Sequence, residues 1–474
     1  MRGGKSFLVL VAVAVALGAY IYFIESKRTG SDEKKKDKVF TVDASKIEEI
    51  EVHAASGETT TLKKAGTDWQ IVAPEAVEAD AATVGTLVST IESLEIGRVV
   101  NDNPASVKEY GLDPPKSSIA YKLAGETTFH KLNLGDKTPT GSDLYARVDG
   151  QPKLLLIAAF NTDSLNRTPF DLRDKTILKV QRDGVDMVKL EGAAPPAVAL
   201  TRKADEWRLT EPVSAKADFG TVDGLVGQVS SARMKAIETP GAASAAQLSA
   251  ADLKKFGFEK PQETATLGAG SSRATLQIGA KKDDTSLYAR DMARPGLVFT
   301  VETALLTALQ RKPDDLRVKD VFEFRSFSAQ NVAFTIGGQT YQFAKEKAPP
   351  KPPAPGASPT PTPTATPAPV EPDVWKLKTP TAKDVDQAKA TDLLSAFSNL
   401  RADKFTDKAF PTGSDIVVVA KYGDAASPKE EKITFRKMGD TVQAIRQGES
   451  GAAVIATADF DKVIAQLKEL TGAK

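Results

Sequence analysis

One pattern occurs three times in this chain: a Trp, a Pro five residues later and an Asp six residues after that Pro. The three sets are Trp69, Pro74 and Asp80; Trp207, Pro212 and Asp218; and Trp375, Pro380 and Asp386. The chain has 3 Trp among its 474 residues, so every Trp belongs to the pattern. Agreement at so many offsets indicates an internal repeat, and the fold must contain three related units.

Each Asp is placed to cap a helix, because a side-chain oxygen at that position accepts one of the unpaired backbone N–H groups of the first turn. Apolar residues follow at helical spacing in all three copies. They are Val84, Leu87, Val88 and Ile91; Val222, Leu225, Val226 and Val229; and Ala390, Leu393, Leu394 and Phe397. The sequence therefore predicts one amphipathic helix in each unit, the first over Asp80–Leu94.

The remainder of the unit recurs at least twice, about 140 residues apart. The matching segments are Tyr110–Pro115 with Phe256–Pro261, Leu144–Arg147 with Leu287–Arg290, and Pro169–Arg173 with Pro313–Arg317. Strand-like segments separated by short turns predict groups of antiparallel strands. In the first unit these are Ile47–Val52, Thr59–Lys63, Trp69–Val72, Ser117–Leu123, Phe129–Leu134, Leu144–Val148 and Lys153–Ile157, with a closing helix near Phe160–Leu165. The predicted fold class is α+β, with three related domains of antiparallel sheet plus helix behind an N-terminal transmembrane helix.

We place the repeats at residues 39–176, 177–318 and 319–474, the third being degenerate. Residues 348–372 are rich in Pro, Thr and Ala and separate two strand-like segments that correspond to a hairpin of the first repeat. They are therefore predicted to form a loop inserted into a domain and not a linker between domains. A ligand for a Pro-recognising partner or a spacer is one interpretation, and a tolerated insertion is the simpler one.

Residues Phe7–Ile24 form a run of 18 uncharged residues, which reaches about 27 Å as a helix and so crosses the hydrocarbon of a bilayer. A cleaved signal peptide would have a shorter apolar region that ends in small residues, whereas Tyr20–Ile24 is bulky. We predict an uncleaved membrane anchor within residues 1–28 and a charged spacer at 29–38.

Lys and Arg after the anchor outnumber those before it, which by charge alone favours a cytoplasmic domain. Long domains translocate despite such charge, and the absence of Cys together with the Pro-rich segment is typical of envelope proteins. We expect a single-pass protein of the bacterial inner membrane whose bulk faces the periplasm.

The composition argues against nucleic-acid binding, thiol chemistry and metal sites. Lys plus Arg number 63 and Asp plus Glu number 62, so no basic field is available for nucleic acid. With 0 Cys, disulfides, thiolate nucleophiles and zinc–thiolate sites are excluded. His53 and His130 are the only His residues, and neither has a partner at a diagnostic offset. We predict no catalytic residue, no cofactor and no metal.

Arg147 and Arg290 belong to motifs that recur together with Asp-Leu-Arg. Their expected partners are Asp171 or Asp174 for Arg147, and Asp315 or Asp320 for Arg290. A structural ion pair explains why the set occurs twice, whereas catalysis would need a pocket and a perturbed acid. The acidic pairs Asp283–Asp284 and Asp314–Asp315 lack the spacing of an EF-hand and are interpreted as solvated turns.

The glycine-bounded segment Gly135–Gly141 is followed by Ser142 and Asp143, not by the Lys-Ser/Thr of a phosphate-binding loop, and is predicted to be a hairpin turn. The three Trp residues are interpreted as core anchors and not as sugar platforms, because their offset is shared with the apolar stripe.

These motifs resemble a bacterial family known only as domain of unknown function 4340. The segments that carry the resemblance are Asp68–Pro74, Ala79–Asp80, Tyr110–Pro115, Gly135–Arg147 and Pro169–Lys175. The resemblance implies membrane-tethered envelope proteins that are associated with ABC-type transport systems of the gliding-motility kind. It implies no catalytic residues.

The first functional hypothesis is a non-enzymatic, membrane-anchored extracytoplasmic scaffold, auxiliary to an ABC-type transport system, in which several linked units give multivalent contact. The alternative is a cell-wall or polysaccharide-binding module that requires exposed Trp207 and Trp375. An envelope hydrolase is the third, and it requires a cleft with two carboxylates of raised pKa.

Overall fold

A computed structural model describes residues 37–192, 196–239, 247–347, 373–424 and 426–473. The predicted anchor, most of the spacer and the Pro-rich segment 348–372 lie outside the described residues. No helix within the described ranges is long and apolar enough to cross a membrane. The chain divides into two compact units, and the boundary between the first and second sheets falls between Lys175 and Thr176.

The first sheet has nine antiparallel strands in the order β4-β3-β2-β1-β6-β7-β8-β9-β5. Its strands are β1 (Ile47–His53), β2 (Thr59–Ala65), β3 (Asp68–Ala73), β4 (Val77–Glu78), β5 (Arg98–Asn101), β6 (Ser117–Leu123), β7 (His130–Lys137), β8 (Asp143–Val148) and β9 (Leu154–Ala158).

The second and third sheets also have nine strands each and repeat that order. The second contains β10 (Met187–Gly192), β11 (Val198–Lys203), β12 (Glu206–Glu211), β13 (Ala215–Lys216), β14 (Ala236–Ile237), β15 (Glu263–Ala269), β16 (Ser272–Lys281), β17 (Ser286–Asp291) and β18 (Val298–Glu302). The third contains β19 (Ala329–Ile336), β20 (Gln339–Glu346), β21 (Val374–Thr379), β22 (Lys383–Asp384), β23 (Lys404–Thr406), β24 (Ser414–Tyr422), β25 (Lys429–Met438), β26 (Thr441–Arg446) and β27 (Ala452–Ile455). The predicted α+β class with three related antiparallel sheets is confirmed.

The α-helices of the described residues are α1 (Ala81–Ser93), α2 (Thr162–Leu165), α3 (Pro169–Leu172), α4 (Phe219–Ser231), α5 (Ala250–Phe256), α6 (Thr303–Leu309), α7 (Pro313–Leu316), α8 (Gln387–Ser398) and α9 (Thr457–Thr471). The helix predicted near Phe160–Leu165 is shorter than expected, because a 3-10 turn over Ala159–Asn161 precedes α2.

One long helix crosses each sheet, from the edge strand β4, β13 or β22 to the strand at the opposite edge. Helices α1, α4 and α8 bury the apolar stripes read from the sequence, all twelve positions included. The Asp residues cap these helices by accepting backbone N–H groups, from Thr83 at 2.8 Å, Thr221 at 2.8 Å and Lys389 at 3.0 Å. Such caps contribute about 0.5–2 kcal/mol each.

Several strands bury one face against these helices, whereas β6, β9, β17 and β18 are buried on both faces. In β8, the alternate residues Leu144, Ala146 and Val148 are buried, while the residues between them are partly exposed. The same alternation runs through β12 and β25 in the other sheets. This is the pattern of an antiparallel sheet with one packed and one solvated face.

The Pro-rich segment connects two neighbouring antiparallel strands. Lys345 of β20 pairs with Trp375 of β21, and Glu346 pairs with Val374. The chain therefore leaves and re-enters the same hairpin at this point.

Two recurring glycines explain why the second half of the unit is repeated in sequence. A Cβ on Gly135 would lie 2.1 Å from the carbonyl oxygen of Tyr110, and a Cβ on Gly279 would lie 2.1 Å from that of Phe256. The Tyr-Gly and Phe-Gly segments thus pack directly on the backbone of β7 and β16. Gly135 was expected in a hairpin turn and lies in β7 instead, because the sheet needs a residue without a side chain where the neighbouring segment crosses it.

We expect Gly135→Ala and Gly279→Ala to destabilise their units by about 1–3 kcal/mol, because the new methyl group would force the backbone of Tyr110 or Phe256 to move. Denaturant unfolding followed by tryptophan fluorescence measures the change.

Gly224→Ala, in the middle of α4, is the matched control. A Cβ there has nothing within 4 Å, so the substitution should stabilise by about 0.5–1 kcal/mol through helix propensity. Equal stability of the Gly279→Ala and Gly224→Ala proteins would contradict the close-packing argument.

Candidate functional site

The residues singled out from sequence lie in the framework of the sheets. Trp207 and Trp375 are 2% and 4% exposed, and Trp69 packs on the first core while partly exposed. Each repeat Pro follows a cis peptide bond after the strand that carries the Trp. The burial of Trp207 and Trp375 removes the exposed aromatic residues on which the polysaccharide-binding alternative depended.

The two arginines do not have the acidic partners expected for them. Arg147 Nε donates to the carbonyl oxygen of Gln151 at 2.9 Å. Arg290 Nε donates to Gln277 Oε1 at 2.9 Å, and its guanidinium lies 4.8 Å from the centre of the Phe258 ring. The ion-pair prediction is wrong because both arginines point along the sheet, toward a turn or a neighbouring strand.

The acids expected as partners have other roles. Asp171 completes the capping box of α3 by accepting from the N-cap residue Thr168, and Asp315 accepts from the backbone N–H of Lys312. Asp320 pairs with Arg325 and lies 3.3 Å from Arg401. Asp171, Asp315 and the Asp320–Arg325 pair thus use partners within five residues along the chain.

A charged cleft between the second and third sheets is the candidate functional site, and it lies within one compact unit. It encloses about 660 Å³. One wall is formed by β12 and β13, and the other by the start of β25, the end of β26 and the turn that follows. The two walls are joined by a backbone hydrogen bond, in which Ser450 N donates to Ser214 O at 2.9 Å.

Lys216, in β13, connects the two walls. Its ammonium pairs with Glu206 at 3.1 Å on its own sheet and with Glu323 of the third repeat. Burial acts against the charge of Lys216, but the two carboxylates outweigh it and raise its pKa. Lys216 is therefore a fixed cation and not a base.

Arg446, at the end of β26, holds most of the third repeat's side of the cleft. Its Nη1 donates to Glu431 at 2.9 Å and to Glu323 at 3.4 Å. Its Nη2 donates to the carbonyl oxygen of Val321 at 2.6 Å, and its Nε lies 3.5 Å from Glu449. A planar guanidinium can satisfy this many directions at once, which an ammonium cannot.

Burial and charged neighbours also shift the pKa values of Glu323 and Tyr422 in the cleft. Burial acts to raise the pKa of Glu323, but Lys216 and Arg446 outweigh it and lower that pKa. Tyr422 donates its hydroxyl to Glu323 at 3.1 Å, and burial together with the carboxylates of Glu323 and Glu431 raises its pKa.

The cleft thus holds an ionised carboxylate and a protonated phenol, each engaged by neighbours. The criterion set for a hydrolase, two carboxylates of raised pKa in one cleft, is not met by Glu206 and Glu323, whose pKa values are lowered. No group of three or more metal-ligating side chains occurs within the described ranges. The arrangement can bind charged or zwitterionic groups and can fix the two sheets to each other.

We expect Arg446→Ala to lower the free energy of unfolding of this unit by about 3–5 kcal/mol, since it leaves the buried Glu431 without its cation and Glu323 with Lys216 alone. Arg446→Lys should recover only part of the loss. Chemical denaturation measures both.

Lys421→Ala is the matched control. Lys421 pairs with Glu430 at 3.3 Å with both side chains more than half exposed, so its removal should cost about 0–1 kcal/mol. A similar loss in the Arg446→Ala and Lys421→Ala proteins would refute the assignment of Arg446 as the centre of the network.

One titratable residue outside the cleft escaped the sequence reasoning. Glu263, the first residue of β15, is 2% exposed, and its Oε1 has no hydrogen-bond partner. Burial raises its pKa to about 7. Nothing in the local sequence indicates the burial of Glu263, because the residue that faces it is Gly192 on the paired strand. The carboxyl lies so close to this glycine that a Cβ on Gly192 would be 2.3 Å from Glu263 Oε2.

The protonated form of Glu263 is favoured by folding, so its contribution to stability is complete below about pH 4.5 and is lost as the pH rises through about 7. We expect a loss of up to about 3 kcal/mol across that window. Glu263→Gln should remove this dependence and be the more stable protein at pH 8. Unfolding curves at a series of pH values test it, with the exposed Glu259→Gln as control; parallel pH profiles for all three proteins would rule the effect out.

Comparison with known families gives one match. A family model described as a domain of unknown function (DUF4340) matches residues 69–206 and 207–416. Each match begins at a repeat Trp, so the family unit starts in β3 or β12 and runs into the next sheet. No match to the chain was found among curated proteins.

Proposed function

This chain belongs to the family described as domain of unknown function (DUF4340), and we propose that it is a non-enzymatic scaffold that carries three interaction modules on one membrane anchor. The motif resemblance is thereby confirmed for the family. The anchor, the periplasmic location and the association with an ABC-type transport system are parts of the proposal.

The observation that supports the proposal is the threefold use of one sheet. All three sheets have the same strand order, and strands of each sheet, such as β2, β12 and β25, keep alternate residues exposed to solvent. Three similar surfaces on one chain suit multivalent contact, because binding through one raises the effective concentration of the others.

The charged cleft supports a scaffold in a second way. Its cations and carboxylates are engaged with one another across the second and third repeats. Such a network holds two modules in a fixed relation, which a protein that presents several surfaces to one partner requires.

The test is a cross-linking pull-down from native membranes with the full chain. We expect recovery of an ABC-type permease or its auxiliary subunits. Replacing Phe7–Ile24 by an unrelated apolar span of equal length should retain these partners if the sheets make the contact, and deleting the span should reduce recovery.

Three outcomes would count against the proposal. Recovery of glycan alone would favour the polysaccharide-binding alternative, and loss of partners with the unrelated span would assign the contact to the anchor. A reporter fused after Lys474 that is active only in the cytoplasm would overturn the periplasmic location.

A further inference from the structure

Arg317 occupies a buried position at the junction of the second and third repeats. It follows α7, is 4% exposed and forms a backbone bridge with Ala217. The corresponding residue of the first repeat is Arg173, which follows α3 and bridges to Ala79 in the same way. The two arginines are therefore equivalent in the repeat.

The guanidinium of Arg317 has no hydrogen-bond or ion-pair partner among the described residues, and its Nε is fully enclosed. One face lies 3.8 Å from the centre of the Phe405 ring. Glu449, Asp314 and Asp407 favour its charge only through space, and burial lowers its pKa. A buried charge without direct partners is costly, and buried donors are nearly always satisfied by protein, water or an ion.

Arg173 and Arg317 have an equally enclosed Nε, but in the first repeat a carboxylate faces the Nη end of the guanidinium. Arg173 has a carboxylate 3.6 Å from its Nη1, supplied by Glu75, the residue directly after the repeat Pro74. The residue directly after Pro212 is Val213. The second repeat has therefore kept the arginine and lost the anion.

A small cavity of about 30 Å³ lies beside Arg317. It has room for about two water molecules or one monatomic anion. The other charged residues of its lining have ion-pair partners: Lys216 with Glu206 and Glu323, Arg446 with Glu431, Glu449 with Arg446, and Asp320 with Arg325. Arg317 is the one cation of this lining without an ion pair in the described part of the chain.

We propose that this cavity binds one small monovalent anion of the chloride class, which takes the place of the Glu75 carboxylate and pairs with Arg317. The site lies where the second repeat meets the third, between Val318 of the connecting segment and Phe405 of β23. Anion binding therefore stabilises the junction of the two repeats.

The test measures the midpoint of thermal unfolding of the full chain in detergent, in sodium chloride and in sodium gluconate at equal ionic strength. For the wild-type protein we expect chloride to raise the midpoint by roughly 2–4 °C with saturation. Arg317→Met should abolish the difference between the two salts, whereas Arg436→Met, which removes an arginine paired with Asp415 outside the cavity, should retain it.

A second variant does not depend on the folding of Arg317→Met. Val213→Glu supplies the carboxylate that the first repeat has, and we expect it to remove the chloride dependence while raising the midpoint in gluconate. Crystals of the wild-type chain soaked in bromide should show an anomalous peak beside the guanidinium of Arg317.

The proposal is overturned if bromide is absent and water occupies the cavity, or if chloride acts equally on the wild-type, Arg317→Met and Val213→Glu proteins.

Discussion

The fold depends on one packing event, which occurs three times: an amphipathic helix buries its apolar stripe against one face of a nine-stranded antiparallel sheet. The helix carries the chain from one edge of the sheet to the other, so the strand that follows the helix forms the far edge. The strands at both edges are short, with two residues in β4, β13 and β22, which limits pairing with other chains. Everything else, including the connecting segments and the charged cleft, is positioned by this helix and sheet.

Two arginines at the junction of the second and third repeats show how the same guanidinium serves in different surroundings. Arg446 is surrounded by carboxylates and backbone carbonyls, and it joins the connecting segment to the third sheet. Arg317 is more deeply buried, and its guanidinium contacts an aromatic face but has no hydrogen bond or ion pair in the described part of the chain. The first arrangement satisfies the desolvated charge within the protein, whereas the second requires a group from outside.

The three repeats share one strand order but differ in the side chains and segments that pack on the sheet. The Gly135 and Gly279 contacts preserve one crossing segment in the first two repeats. The third repeat instead has the longer closing helix α9, which packs Phe460, Val463 and Leu467 into its core. Replacement of Glu75 by Val213 at an equivalent position changes the electrostatics of a buried arginine without changing the sheet. Each repeat therefore keeps the backbone plan and varies the polar groups attached to it.

The sequence by itself determined the repeat, the fold class and the capped helices, because the Trp–Pro–Asp spacing and the apolar stripe are local patterns that report directly on helix and strand geometry. It also determined most strand positions, since alternation and turns are local too. Only the tertiary structure decided the surroundings of Arg290, Arg317 and Glu263, because these residues meet groups from distant segments, namely Phe258, Phe405 and Gly192. A charge can be read from sequence, but its burial and its counter-charge are properties of the packed molecule.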